Sequence, residues 1–507
     1  MIQANPNRLF LYTLSFTEGG AVMSAELIGA KMLAPYFGSS LYVWATVMAV
    51  TLGGLAAGYF TGGYWAGRSQ NAKLLFYVLL VAAVLTAAMP LSARIIIAWS
   101  THLPFLTSII FSTILFLMPP VFLMGMVSPL IIEKLSDHQH HAGNMAGNIY
   151  AVSTVGGIIA TFGMGFYIIP TFGLSKPAFI TGAILGLLPL IAIIKQKKIF
   201  LIASLLLMLF GKLILTKETA ISDIKILYSK EGLLGQIMVV DYPVYQQQQT
   251  PVSYIRMMLF NRVIQTYDNQ RDTAHRYFPY VSLLVDEASK QVEGKKALLL
   301  GLGGGVVANE LVKNNFEVDA VEFDERVVYA AQQFFSLNKR TKVFVDDARR
   351  YINTAQKKYD LIVFDVFKGE ENPSHLITEE SLSQVKALLN TNGMLVINNY
   401  GFKTGEKSKG IKAIVKTLKQ SNFHYHLLSS AVKEEEGNIL IFASKHDFKT
   451  AHKSFQFESQ ELSEVPLLCD DKPILDLLNK EAAATWRNLY MATAIKDFNQ
   501  RNIPLFN

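Results

Sequence analysis

The strongest constraint on the fold is the stretch Ala297-Leu-Leu-Leu-Gly-Leu-Gly-Gly-Gly-Val306, followed by Val318-Asp-Ala-Val-Glu-Phe-Asp324. An apolar run ends in clustered glycines, a helical segment follows, and a second apolar run ends in the acid Glu322. That order predicts a strand, a tight turn fitted to a phosphate or nucleoside, a helix, and a second strand whose tip can hold ribose hydroxyls. The alternation continues with a helix over 326–335 and a strand over Lys342–Val345 that closes on Asp346 and Asp347. A helix over 349–356, a strand over 361–364 closing on Asp365, a helix over 378–389 and a strand over 393–397 complete it. Strands alternating with helices imply a parallel sheet covered on both faces, with ligands at the carboxyl ends of the strands. The glycine turn, Glu322, Asp346 with Asp347, and Asp365 therefore fall at four successive strand ends.

Those residue types define a chemistry. Gly301, Gly303, Gly304 and Gly305 let backbone N–H groups approach a ligand with no Cβ in the way. An acid at the second strand end can accept both ribose hydroxyls, and one at the third can accept from an adenine amino group. A carboxylate at the fourth, beside a sulfonium-bound carbon, can take a proton from an attacking amine. The glycine turn alone fits nicotinamide cofactors as well, and an acid 17 residues beyond Gly305 suits both classes. The further acids at the third and fourth strand ends favour an S-adenosylmethionine-type nucleoside.

Upstream the chain changes character twice. Residues 224–265 read as short strands around turn-rich sequence such as Asp241-Tyr-Pro243, a small β subdomain. Helical apolar spacing over 273–290 then leads into the strand at Ala297. Residues 8–215 are nearly continuous apolar segments, and a span needs about 20 such residues. Candidate spans lie near 9–34, 40–66, 74–98, 104–134, 143–170, 174–194 and 197–215, about seven in all. Pro119-Pro120 makes the fourth either one kinked helix or two pieces. The small residues of Gly53-Gly-Leu-Ala-Ala-Gly58 and Gly156-Gly157 let helices pack closely. Glu18 and Glu26, with Lys31, fall inside the first span, where ionised groups are costly unless paired or wet. They are candidates for a polar path or an interhelical contact.

The net charge of +7 is modest for 507 residues, and no arginine-aromatic patch argues for nucleic-acid binding. The single cysteine, Cys469, excludes an intrachain disulfide and any multi-cysteine metal site. The chain reads as a multi-pass protein of the cell (inner) membrane in contact with the lipid bilayer. With seven spans the basic residues between segments gather on one side, and the positive-inside rule would then send the C-terminal half outside. Access to cytosolic nucleosides argues for a cytoplasmic C-terminal half instead, in conflict with that count.

The soluble half resembles the polyamine aminopropyltransferase (spermidine synthase) family, a small β domain before a methyltransferase-like Rossmann domain. The N-terminal half resembles the membrane region of bacterial fused members, through Glu26-Leu-Ile-Gly-Ala-Lys-Met-Leu-Ala-Pro-Tyr-Phe-Gly-Ser-Ser-Leu-Tyr-Val-Trp44 and Asn148-Ile-Tyr-Ala-Val-Ser-Thr-Val-Gly156. The resemblance implies a transmembrane helical domain over 1–217, a β subdomain over 218–272 and a Rossmann-like domain over 273–507. It implies that the glycine loop, Glu322, Asp347 and Gln236 bind the donor and that Asp365 is the catalytic base. Gln265, with His275 or Tyr277 for a displaced family tyrosine, would line the amine pocket. The implied reaction moves an aminopropyl group from decarboxylated S-adenosylmethionine, a co-substrate, to a diamine such as putrescine. It needs neither metal nor prosthetic group, and members of the family often form homodimers.

Two departures matter. Gly304 stands where the family carries an aspartate for the donor's amine tail, and Lys368 stands where it carries a second aspartate after the catalytic one. Lys368 can instead favour a carboxylate, as in S-adenosylmethionine itself or an amino-acid-like acceptor. His375, in a segment that follows the fused branch's pattern, would start a helix. A methyl- or aminocarboxypropyl-transferase, and a non-catalytic polyamine or nucleoside sensor or transporter, are the alternatives.

Overall fold

A computed structural model describes residues 7–37, 41–68, 73–100, 103–135, 142–194, 223–232, 234–245, 251–269, 272, 276–367, 373–431, 435–472, 474–486 and 497. The chain divides into two compact units. One comprises Met1–Ser222, Lys230–Gln236 and Asp497–Asn507; the other comprises Asp223–Ser229 and Ile237–Lys496.

Apart from Lys230–Gln236, the described part of the first unit is predominantly helical. Its longest helices are α1 (Arg8–Phe37), α2 (Leu41–Ala66) and α3 (Lys73–Ser100). The stretch expected to form one kinked helix or two pieces forms three: α4 (Phe105–Phe116), α5 (Met118–Gly125) and α6 (Val127–Leu135). The two prolines open α5, where the missing N–H costs nothing. α7 (Ala142–Gly163) runs through a π-helical turn over Met164–Ile168 into α8 (Ile169–Phe172), and α9 (Ser175–Ile194) follows.

Five helices among the described residues are long and apolar enough to cross a membrane: Tyr42–Ala66, Lys73–Ser100, Met118–Leu135, Gly143–Phe172 and Ser175–Ala192. The expected first span forms α1, a helix that carries Arg8, Glu18, Glu26 and Lys31. The expected span at 197–215 lies outside the described residues.

Small residues set the helix spacing. A Cβ on Gly58 would lie 2.3 Å from the Phe122 carbonyl of α5, and one on Gly156 would lie 2.1 Å from the Phe16 carbonyl of α1. Polar side chains fasten the same α1–α7 pair. Ser15 Oγ donates to the Ile149 carbonyl at 3.1 Å, and Ser153 Oγ donates to Glu18 Oε2 at 3.2 Å. Glu18 is buried between these helices, while Glu26 is half-buried.

The second unit holds two sheets. The smaller is β1-β2-β3-β4, formed by β1 (Lys225–Lys230), β2 (Ile237–Val244), β3 (Ser253–Phe260) and β4 (Val263–Asp268). Asn261 and Arg262 join β3 to β4 with φ of 47° and 72°, the two-residue turn whose twist matches that of its strands.

The larger sheet has the order β12-β10-β11-β9-β8-β5-β6-β7. β5 (Lys296–Leu300), β6 (Glu317–Glu322), β7 (Lys342–Val345), β8 (Tyr359–Phe364) and β9 (Leu389–Phe402) are parallel, as the alternation predicts. The antiparallel edge of β10 (His424–Ser429), β11 (Glu436–Ser444) and β12 (Ser454–Phe455) is not foreseen by the sequence reading, which stops at β9. A hairpin needs no crossover helix, so β11 returns to pair directly with β9.

Helices cover both faces. α10 (Pro279–Gln291) and α11 (Val306–Lys313) share one core with Leu299, Val363 and Phe442. α12 (Glu325–Phe334) packs against β2 and β3 through Val327 and Ala330. α13 (Ala348–Thr354), α14 (Glu379–Leu388) and α15 (Lys409–Gln420) share the opposite core with Leu300, Phe364 and Ile397. From β5 the chain builds β6 and β7 on one side and then crosses to β8 on the other. The strand order therefore reverses between β5 and β8, and a crevice opens at their carboxyl ends.

Candidate active site

β5 ends at Leu300, and the next residue, Gly301, has φ of 86°. A Cβ there would lie 2.2 Å from the Asp365 carbonyl, so only glycine lets β5 and β8 end this close together. The Gly301 N–H donates to the Val321 carbonyl at 2.9 Å, and the Asp365 N–H donates to the Leu300 carbonyl at 2.9 Å. The Asp346 N–H donates to the Glu322 carbonyl at 3.1 Å. Four strand ends are thus tied side by side, and the glycine turn, Glu322, Asp346 and Asp365 share one edge of the sheet.

Glu322 is held by peptide groups. Its Oε2 accepts from the Leu302 N–H at 3.1 Å and its Oε1 from the Asp324 N–H at 2.9 Å. Burial pushes this carboxyl up, and the N–H groups of Asp324, Leu302 and Phe323 partly hold it down. Asp347 caps α13, with its Oδ1 accepting from the Arg350 N–H at 2.9 Å. Asp346 accepts from the Asp347 N–H at 2.8 Å and pairs with Arg350 Nη1 at 2.7 Å, so it is already neutralised.

Asp365 follows β8 directly. Tyr280 Oη donates to its Oδ2 at 3.0 Å, and Asn398 Nδ2 donates to its Oδ1 at 2.8 Å. Asn438 Nδ2 in turn donates to Asn398 Oδ1 at 3.1 Å. Burial pushes the Asp365 carboxyl up, and the two neutral donors oppose this. Burial and the Asp365 charge push the Tyr280 phenol well above its ordinary value, so it remains a proton donor. No salt bridge is formed by Glu322, Asp347 or Asp365 among the described residues.

The glycine turn has a second support. The Gly304 N–H donates to Thr266 Oγ1 of β4 at 2.9 Å. A Cβ on Gly304 would lie 2.6 Å from Thr266 Cγ2 and 3.1 Å from the Phe335 ring. An aspartate does not fit there without moving β4 or Phe335.

Gln265 is half-buried on β4, and strand alternation turns it to the face opposite Thr266. Tyr277 faces Glu310 and Ser282, and the tyrosine that reaches Asp365 is Tyr280. His375 is exposed in a short 3₁₀ turn, and its carbonyl accepts from Arg349 Nη1 at 2.7 Å. Gln236 is buried in the segment Lys230–Gln236 that groups with the helical unit. His275 and Lys368 lie outside the described residues. Among the described residues, no group of three or more His, Cys, Asp or Glu is placed to hold a metal ion.

Thr266, Tyr280, Asn398 and Asn438 escaped the sequence reading. Asn398 had a signal, as the polar residue ending the apolar run of the fifth strand. Thr266 and Asn438 had none, because each reaches the site by pairing between distant segments.

Residues 278–454, which span this site, match the family described as the spermine/spermidine synthase domain. A polyamine aminopropyltransferase of Vibrio vulnificus is 37% identical over 145 residues, 27% of this chain and 48% of that protein. An N-terminal histidine N-methyltransferase of Emericella nidulans is 32% identical over 165 residues, 30% of this chain and 28% of that protein. Polyamine aminopropyltransferase 2 of Aquifex aeolicus is 21% identical over 491 residues, 94% of this chain and 92% of that protein. The chain spans less than half the length of the first two relatives, whereas the match to the third takes in the apolar half of this chain as well. Within the matched residues, the glycine turn, Glu322, Asp347 and Asp365 follow or end the neighbouring strands β5, β6, β7 and β8.

Proposed function

We propose that this chain is a membrane-embedded polyamine aminopropyltransferase that transfers an aminopropyl group from decarboxylated S-adenosylmethionine to an amine such as putrescine. The observation that carries this reading is Asp365, a buried carboxylate beside the glycine turn whose donors among the described residues are neutral, Tyr280 and Asn398. Such a group keeps its negative charge available, and its raised affinity for a proton suits a general base.

In the proposed reaction the backbone of the glycine turn and Glu322 hold the adenosine, with Asp347 on the adenine side. The amine nitrogen attacks the carbon bonded to the sulfonium. A C–N bond forms, the C–S bond breaks, its electron pair returns to sulfur and methylthioadenosine leaves. Asp365 takes the proton from the attacking nitrogen. Positioning supplies most of the acceleration. The five apolar helices support membrane insertion, and the cytosolic origin of the donor supports a cytoplasmic α/β unit.

The Gly304 site favours a second reading. The contacts of Thr266 and Phe335 leave no room for the acid that would pair with an amine-tailed donor. That fits S-adenosylmethionine with its carboxylate, and one relative is named as an N-terminal histidine N-methyltransferase. The two readings separate when the full-length chain in detergent is given each donor with putrescine and its products are resolved by mass spectrometry. Methylthioadenosine and spermidine from the decarboxylated donor support the first. Turnover of S-adenosylmethionine alone replaces it with the second.

A further inference from the structure

We propose that Asn438 and Asn398 form a one-directional hydrogen-bond relay in which Asn398 is a positioning residue that fixes Asp365 as an ionised acceptor. The proposal deepens the aminopropyl-transfer reading and rests on it for the role of Asp365.

The relay crosses three adjacent strands. Asp365 follows β8, Asn398 lies on β9 and Asn438 on β11. In the β9–β11 register Asn438 is opposite Tyr400 and Leu440 is opposite Asn398. Asn438 is therefore the diagonal neighbour of Asn398 on one face, within reach of a side-chain contact. Asn398 is fully buried, so each end of its amide must find a protein partner.

An amide has a donor end and an acceptor end, and the relay decides which end meets Asp365. Asn438 Nδ2 donates to Asn398 Oδ1 at 3.1 Å, which occupies the acceptor end. The Asn398 NH2 is thereby turned onto Asp365 Oδ1 at 2.8 Å. That orientation suits a carboxylate, which only accepts. It opposes a proton on Oδ1, which would point at another donor. Were Asn398 free to turn over, its oxygen could accept from a protonated Asp365 and stabilise the inactive acid. Tyr280 fills Oδ2 from α10, and it is the titratable side chain in contact with Asp365 among the described residues. The two contacts come from different directions and hold the carboxylate plane.

The relay is tested by Asn438→Leu, at a side chain that meets Asn398 rather than Asp365, with Asn398→Leu as the stronger variant. In the full-length chain, the protonation of Asp365 is followed by infrared difference titration against Asp365→Asn without substrates. Thermal melts confirm that each variant is folded. Loss of one directed donor to a charged group is expected to move the Asp365 midpoint upward by about one pH unit in Asn438→Leu, roughly a tenfold change in proton affinity. The acid limb of kcat is expected to move with it while KM for the amine stays put. An unmoved midpoint in a folded Asn438→Leu protein overturns the relay, as does a loss of kcat equal at every pH. A wild-type chain that transfers no aminopropyl group overturns the functional reading alone, because the titration still decides the relay.

Discussion

The strand β6 carries acids at both of its ends, and the two ends are treated in opposite ways. At its start, Lys357 Nζ bridges Glu317 Oε1 at 2.8 Å and Asp319 Oδ2 at 2.7 Å, and Tyr359 Oη adds a donor to Asp319 at 2.9 Å. At its finish, Glu322 receives peptide N–H groups and, among the described residues, no cation, and Asp365 just beyond β8 receives a phenol and an amide. Lys357 pulls the Glu317 carboxyl below its ordinary value, whereas burial lifts those of Glu322 and Asp365. One edge is neutralised for stability. The other holds charge that the described residues orient without cancelling, as the proposed binding and proton transfer require.

The largest break in this contrast is expected from Asp365→Asn. Removing a general base costs about 10²–10⁴ in kcat. Steady-state kinetics of the full-length chain with saturating donor and amine measure it, and methylthioadenosine affinity is expected to stay within about twofold, because the proposed role of Asp365 is toward the acceptor amine. A fall in affinity equal to the fall in kcat would place Asp365 in the donor pocket instead.

Next in size is Glu322→Gln. One amide end would now face an N–H that needs an acceptor, and a mispaired buried donor costs about 1–3 kcal/mol. Methylthioadenosine binding is expected to weaken roughly 10- to 100-fold on the scale of 1.4 kcal/mol per decade, with kcat little changed at saturation. At the opposite edge, Asp319→Ala leaves Lys357 and Tyr359 without their buried partner. It is expected to lower stability by about 2–3 kcal/mol without altering KM or kcat. Denaturant melts and kinetics on one preparation test both halves of that statement.

The sequence made much of this contrast legible. The apolar runs and their terminal acids placed Glu322 and Asp365 at one edge, because a parallel strand exposes its end and buries its middle. It failed where a residue reaches the site through the third dimension. Tyr277 and Tyr280 are three residues apart, but Pro279 starts α10 between them. Tyr280 alone therefore lies in the helix, and it points to Asp365. Asn438 depends on β11 returning beside β9, which no local period announces. Thr266 depends on β4 meeting a glycine turn 38 residues further on.

The smallest expected effect is a pH dependence of stability. The carboxyls of Glu322 and Asp365 are raised, so the folded chain keeps their protons to higher pH than the unfolded chain does. The stability they lend is complete below the ordinary carboxylate range and is lost as pH rises through their raised values. Asp365→Asn, which carries no charge, should escape its share of that loss. Its melting temperature is expected to exceed that of the wild type at neutral pH by a few degrees, roughly 1 kcal/mol, and the gap should close on acidification. A gap that widens on acidification would mean that Asp365 is stabilised as a carboxylate.

The most direct test of the central claim pairs two readouts on three proteins: the wild type, Glu322→Gln and Asp365→Asn, each as the full-length chain. Calorimetry gives methylthioadenosine affinity, and rapid mixing gives the single-turnover rate with decarboxylated S-adenosylmethionine and putrescine. The expected result is a split in which Glu322→Gln loses affinity and keeps its rate at saturation, while Asp365→Asn keeps affinity and loses its rate. If all three bind methylthioadenosine equally and turn over at the same rate, the acids at this edge do not form a donor site with its base.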